Sequence, residues 1–308
     1  MRANPLSLLL IALFSLFSTV ALVAQDDDAE MTTDSTGLPG DNFSLEGAMD
    51  LFKQASSLED FEKMLNTEDN NVNNLDLNED GEIDYIRVVD NMEGDVHAIV
   101  LQVPVSEKES QDIAVIEIEK TGAETAMLQI VGDEDIYGEQ VISEPYQEEE
   151  VDKGGRGGPS LMTPPVAIVV NVWGWPTVRY VYRPGYVVYV SPWRWGLYPT
   201  WWRPWRPHPW ARFHVRVAPY RAHYRVVHTH RVVRAHRVYT PRRTHSTVVR
   251  TRTVTTVNSR GRVTGKKTTT TVRGRDGKVK AQKTTTTKKG RNGATKKTTT
   301  RVRGRRGG

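Results

Sequence analysis

The chain of 308 residues contains no cysteine. That excludes disulfides, thiolate-bound zinc, iron–sulfur clusters, thiol catalysis and a lipid-modified N-terminal cysteine. Each half also lacks charge of one sign. Asp276 is the only carboxylate after Asp152, and Arg2, Lys53, Lys63, Arg87, Lys108 and Lys120 are the only bases before Lys153. Residues 25–152 therefore set five bases against 36 acids, a balance of −31, and residues 153–308 set 36 bases against one acid, a balance of +35. The net charge of +5 conceals a dipolar chain. The sign reverses within Glu148-Glu149-Glu150-Val151-Asp152-Lys153, and the four glycines and the proline of Gly154 to Pro159 make residues 148–165 a flexible linker.

Long apolar runs are missing after the first 24 residues. Val166 to Trp175 is broken by Asn171 and Gly174 and is too short to span a bilayer. Residues 1–24 are different: Arg2 precedes an apolar run from Leu6 to Val23, and small residues lead into Gln25-Asp26-Asp27-Asp28. This is the pattern of a signal peptide cleaved after Ala24. Leu22 at the −3 position and the length of the run leave an uncleaved anchor as the second reading. Either way the expected location is outside the cytoplasm: periplasm, outer surface or extracellular space. Also absent are a nucleophile elbow, a paired-carboxylate motif and a His-x-x-x-His helix, so a non-enzymatic role is expected.

The acidic half begins with a polar tether, residues 25–43, that carries too few apolar residues to fold. Ser44 then precedes Leu45, Ala48, Met49, Leu51 and Phe52 at helical spacing, and Ser57 opens a second helix with Phe61, Met64 and Leu65 on one side. Alternating segments follow at Ile83 to Val89, Val96 to Val105, Ile113 to Glu119 and Ala126 to Val131, joined by short connections. The expected fold class is α+β: a small domain over residues 44–147, with two short helices on one face of a four-stranded antiparallel sheet whose other face is wet. His97, alone in its strand, is expected to be structural or solvent-facing.

Between the second helix and the first strand lies Asp76-Leu77-Asn78-Glu79-Asp80-Gly81-Glu82-Ile83-Asp84. Oxygen-bearing side chains stand at positions 1, 3, 5 and 9, a glycine at 6, and Glu82 at 7 offers its carbonyl. A hard cation wants six to eight oxygens, and a tightly wound loop presents alternate side chains inward. These nine residues resemble the calcium loops of EF-hands and dockerins, and more closely the acidic loops of extracellular β proteins. The resemblance implies a weak Ca2+ site formed by Asp76, Asn78, Asp80, Glu82 and Asp84. Arg87 stands where an EF-hand has its bidentate glutamate, which leaves one ligand to come from Asp69 or Asp90. The competing reading is an Asx-rich turn that needs no metal.

In the basic half all eight tryptophans fall between Trp173 and Trp210. Val178 to Tyr182 and Tyr186 to Val190 flank Arg183-Pro184-Gly185 as a candidate hairpin. Proline keeps the second Trp cluster extended, so Arg194, Trp195, Trp201, Trp202, Arg203, Trp205 and Arg206 alternate rings and guanidiniums along a strip that suits a polyanion. The same rings could instead plug the N-terminal sheet. Seven of the eight histidines lie from His208 to His245, but Arg225, Arg231, Arg234 and Arg237 surround them, which favours a solvated basic strip over a metal site.

From Thr251 the chain repeats every sixteen residues: Gly261, Gly277 and Gly293 hold the frame, and Asp276-Gly277 and Asn292-Gly293 sit between Thr runs as hairpin turns. With almost no apolar residues, residues 251–308 are expected to be disordered, as is most of the basic half. Taken together, these features indicate an exported envelope protein whose calcium-stabilised acidic domain is tethered to a polycationic aromatic tail. The tail would bind anionic polymers such as lipopolysaccharide, acidic polysaccharide or extracellular DNA, and at low salt the chain's own acidic domain. A nucleic-acid-binding protein acting through the Arg/Gly/aromatic tail is the alternative.

Overall fold

The computed structural model describes residues 36, 38–147, 168–247, 249–257, 263–273, 279–290 and 293–302. The signal segment 1–24, most of the tether, the linker 148–165 and the turn pair Asp276-Gly277 lie outside the described residues. The end of the tether is packed: Pro39–Asn42 forms one 3-10 turn, with Leu38 and Phe43 buried.

Helices α1 (Leu45–Gln54) and α2 (Leu58–Leu65) start where their capping serines stand. Ser44 Oγ accepts the Gly47 N–H at 3.0 Å, and Ser57 Oγ accepts the Asp60 N–H at 3.1 Å. Each satisfies a donor that the first helical turn leaves open. Strands β1 (Arg87–Glu93), β2 (Val96–Pro104), β3 (Ser110–Gly122) and β4 (Thr125–Gly132) follow as an antiparallel meander. A one-turn α3 (Glu134–Tyr137) leads to β5 (Val141–Gln147), which pairs with β4.

Here the four-stranded domain with a disordered basic half is overturned. The sheet has seven strands, because β5 also pairs with β6 (Ile168–Val169) and β7 (Tyr224–Val227), both from the basic half. Three further helices come from that half: α4 (Pro176–Val181), α5 (Trp210–Val217) and α6 (Val233–Tyr239). The candidate hairpin around Arg183-Pro184-Gly185 is therefore replaced at its first arm by α4. Pro176 opens that helix at a position where its missing N–H costs nothing, and Thr177 Oγ1 donates to Ala55 O at 2.5 Å.

Both faces of the sheet are covered. On one, α1, α2 and α4 bury Ile99, Leu101, Ile116, Leu128 and Ile130 beneath Phe52, Phe61 and Trp175. On the other, expected to be wet, α6 brings Val232, Ala235, Val238 and Tyr239 onto Val96, Ala98, Val100, Val115, Val131 and Ile142. Among the described residues no helix is long and apolar enough to cross a membrane.

The described stretches of the repeat region form strands. β8 (Val249–Val257), β9 (Val263–Arg273), β10 (Val279–Gly290) and β11 (Gly293–Val302) form an antiparallel sheet of their own. Its register aligns Thr253, Thr268, Thr285 and Thr298 across the four strands. Gly290 pairs with Gly293, while Asn292 of the expected turn pair lies outside the described residues. Val272 packs on the main core and Lys283 Nζ donates to Tyr137 O at 3.4 Å, which fastens this sheet to the rest.

Candidate functional site

Three places gather chemistry. The first is the acidic loop. Gly81 adopts φ +87° and Glu79 φ +56°, so the chain winds tightly through the left-handed region. The Asp76 carboxylate accepts the N–H groups of Asp80 and Gly81, both at 3.1 Å; Asn78 Oδ1 accepts the Asp80 N–H at 2.8 Å, and Asp80 Oδ1 accepts the Glu82 N–H at 2.9 Å. Asp84 is buried and accepts from Leu77 N at 2.5 Å and Asn78 Nδ2 at 2.9 Å. Burial pushes its carboxyl up to about 8, with Asp76 and Asp80 adding repulsion. Four of the five expected ligands thus share one network, while Glu82 is exposed and enters through its backbone. Of the suggested extra ligands, Asp90 is engaged elsewhere, on His97. Among the described residues the one trio of His or carboxylate ligand atoms within 4.8 Å of one another is Glu117, His230 and His236. The loop's carboxylates form no such close trio.

The second place is the tryptophan strip, which divides between the two readings. Trp202 is buried, its ring 5.2 Å from Tyr85 and 4.7 Å from Tyr198, with Nε1 unpartnered. Trp201 is 46 % exposed, with Lys63 Nζ 5.8 Å from its ring centre. Trp195 and Trp205 are half-buried, and the Trp205 carbonyl accepts the Ile83 N–H at 2.8 Å, so the strip is stitched to the acidic loop. Arg194, Arg203 and Arg206 are exposed. Arg203 is turned onto the Thr200 and Trp202 carbonyls, and among the described residues no carboxylate pairs with any of the three.

A groove of about 310 Å³ opens beside Trp201, lined in part by Glu59, Glu62, Tyr85, Tyr189 and Trp193. At its base Glu62 accepts from Val88 N at 2.7 Å, Tyr85 Oη and Ser191 Oγ at 2.8 Å, and Tyr189 Oη at 3.3 Å. Burial raises the Glu62 carboxyl and these four donors oppose the shift. Nothing in the helical pattern of α2 signals this role: Glu62 is a polar residue beside Phe61, and all four of its donors lie more than twenty residues away.

The third place is the seam under α6, where basic residues meet carboxylates on the second sheet face. Glu144 pairs with Arg225 at 2.6 Å and Arg231 at 3.2 Å, and Glu119 with Arg234 at 3.0 Å. Arg243 reaches Asp133 at 2.5 Å, Asp135 at 2.8 Å and Glu134 at 3.1 Å. Asp112 accepts from Thr244 N at 2.8 Å, Gln102 Nε2 at 2.6 Å and Tyr239 Oη at 3.2 Å, and burial pushes its carboxyl up to about 6. Glu117, fully buried, lies between His230 Nε2 and His236 Nδ1, the latter at 2.8 Å. On the opposite face His97 is buried, held by Asp90 at 2.8 Å, which also accepts from Tyr186 Oη. It is therefore internal rather than solvent-facing. The signal for the seam was available as the alternating acids Glu117 and Glu119, which a wet face would also carry.

No protein-family model matches the chain, and neither a curated protein nor a solved structure matches it.

Proposed function

We propose that the protein is a non-enzymatic exported envelope protein that holds anionic polymers on a cationic sheet carried by a folded core. The observation that carries this reading is the sheet β8–β11. From Val249 onward the chain has 20 Lys and Arg against the single Asp276, and twelve of the 20 stand on the four strands that the pairing register sets side by side. Lys297, Thr298 and Thr299 are exposed. A surface of this kind gains affinity by releasing counterions from a polyanion, whatever its sequence. The exposed Arg194, Trp201, Arg203 and Arg206 offer further ring and guanidinium contacts elsewhere on the surface, each cation–π contact being worth about 0.5–1 kcal/mol at an exposed position. Export rests on the pattern of residues 1–24.

Calcium at Asp76, Asn78, Asp80, Glu82 and Asp84 belongs to the same proposal. Its role is to stabilise the core, and a weak site, roughly 10⁻⁴ to 10⁻³ M, suffices outside a cell. The Trp205–Ile83 hydrogen bond would then couple that loop to the strip.

The test is the binding of the chain and of a version ending at Thr247 to lipopolysaccharide, an acidic polysaccharide and duplex DNA, each across a salt series. The full chain should bind with log K falling linearly in log salt, and the shortened chain should lose most of the affinity and most of the slope. Equal binding by both would remove the sheet from the account, and binding of DNA alone would favour the nucleic-acid reading.

A further inference from the structure

We propose that Glu117, His230 and His236 form a binding site for a borderline divalent transition metal, with zinc the best fit, and that the ion clamps α6 to β3. Two neutral imidazoles and one carboxylate are a donor set that zinc accepts with a further position left to water, whereas calcium and magnesium prefer oxygen alone. The three ligand atoms already lie within 4.8 Å of one another. The imidazole ring centres are 4.1 Å apart, and Glu117 is bonded to both rings through its two oxygens. An ion would take the place of the protons shared there. Glu117 is wholly buried, while the two imidazoles are 20 % and 28 % exposed. The ligands are therefore held from the protein side and open toward solvent, where a water or another ligand can complete the shell.

The supporting groups are in place. Gln129, the cross-strand neighbour of Glu117, accepts the N–H groups of Arg231 at 2.7 Å and Val232 at 3.3 Å, and donates to Thr229 O at 3.1 Å. These bonds fix the turn that carries His230. His236 is fixed by its helix, which is anchored on Val232, Ala235 and Val238. The objection to a metal here is the density of arginine. Arg225 and Arg231 are paired with Glu144 and Arg234 with Glu119, which leaves Arg237 as the one of the four with no carboxylate pair among the described residues. On the far side the trio meets Ala98, which adds no charge.

The experiment is titration of the full chain with zinc against a chromophoric chelator, with His230→Ala/His236→Ala, Glu117→Gln and the control His223→Ala/His228→Ala alongside. Wild type and control should each take up one tight zinc. Loss of an outer hydrogen-bond partner typically weakens metal binding about 10–100-fold, so the double ligand variant should lose at least that. A wild type that takes up no zinc, or a ligand variant that binds as tightly as wild type, overturns the proposal. Should the variants fail to fold, X-ray absorption at the zinc edge of the wild type decides. Two imidazoles and one carboxylate support the site, and an all-oxygen shell, as the acidic loop would give, refutes it.

Discussion

At the scale of single residues, the carboxylates buried between the two halves set how the protein responds to pH. Asp112 is 1 % exposed, and desolvation raises its carboxyl from 3.8 to about 6 despite the donors from Thr244, Gln102 and Tyr239. An acid whose folded pKa lies above its unfolded one holds its proton more tightly in the native state. Its stabilising contribution is complete below about 4 and is lost as pH rises through about 6. A shift of about two units corresponds to roughly 3 kcal/mol. Denaturant unfolding of wild type and Asp112→Asn between pH 4 and 7 measures this. The variant should start less stable, because its amide nitrogen cannot accept, whereas both oxygens of the protonated acid can take the donors from Gln102 Nε2 on one side and Thr244 N and Tyr239 Oη on the other. It should then close the gap by a few kcal/mol as pH rises. A gap that stays constant would show that Asp112 titrates normally in the fold. Arg243 gives a second residue-level prediction. Arg243→Ala leaves Asp133 buried beside Asp135 without its cation, and removing one partner of a buried pair costs about 3–5 kcal/mol. Arg243→Lys, which cannot span the three carboxylates, should recover only part of that loss in the unfolding midpoint.

At the scale of elements, what could be read from the sequence was local. Ser44 and Ser57 sit at helix starts because a side-chain oxygen there satisfies a free N–H, and β2 to β4 follow from short apolar-rich runs set between turn residues. What could not be read was long-range. Glu117, Glu119, Glu144 and Asp133 have the spacing of solvent-facing positions, and their partners lie from Arg225 to Arg243, about a hundred residues on. A histidine- and arginine-rich stretch with scattered valines looks uncompacted in isolation. It folds because Val232, Ala235 and Val238 meet an apolar sheet face already ringed with acids. The acidic loop was legible as a wound turn; in the fold, hydrogen bonds from Leu77, Asp80 and Gly81 occupy the oxygens that a cation would need. Calcium binding to the native state alone should add about 1.4 kcal/mol at ten times Kd. Thermal melting with calcium and with chelator tests this: wild type should shift and Asp80→Ala should not, and identical midpoints throughout would leave a turn without a metal.

At the scale of the whole molecule, the −31 and +35 halves do not meet as two smeared clouds. Part of the positive charge is folded into the core, and part is carried on β8–β11. These two parts should respond differently to salt. A loose electrostatic association dissolves as the Debye length falls from about 30 Å at 0.01 M to about 3 Å at 1 M. The seam under α6 is not of that kind, because Glu144, Glu117 and Asp133 are each nearly solvent-free and are flanked by the apolar contacts of Val232, Val238 and Tyr239. Buried pairs are screened far less than exposed ones. Release of the whole basic half from the core would also expose Trp175 and Trp202, which are both buried. The core should therefore keep its tryptophan emission maximum and its scattering radius from 0.01 to 1 M salt. Over the same range, binding of polyanions to β8–β11 should weaken by orders of magnitude, as about ten phosphate contacts imply. A red shift of emission together with expansion at high salt would mean that charge alone joins the halves. The acidic domain would then act as a salt-released competitor for the tail, as the charge reversal by itself suggests.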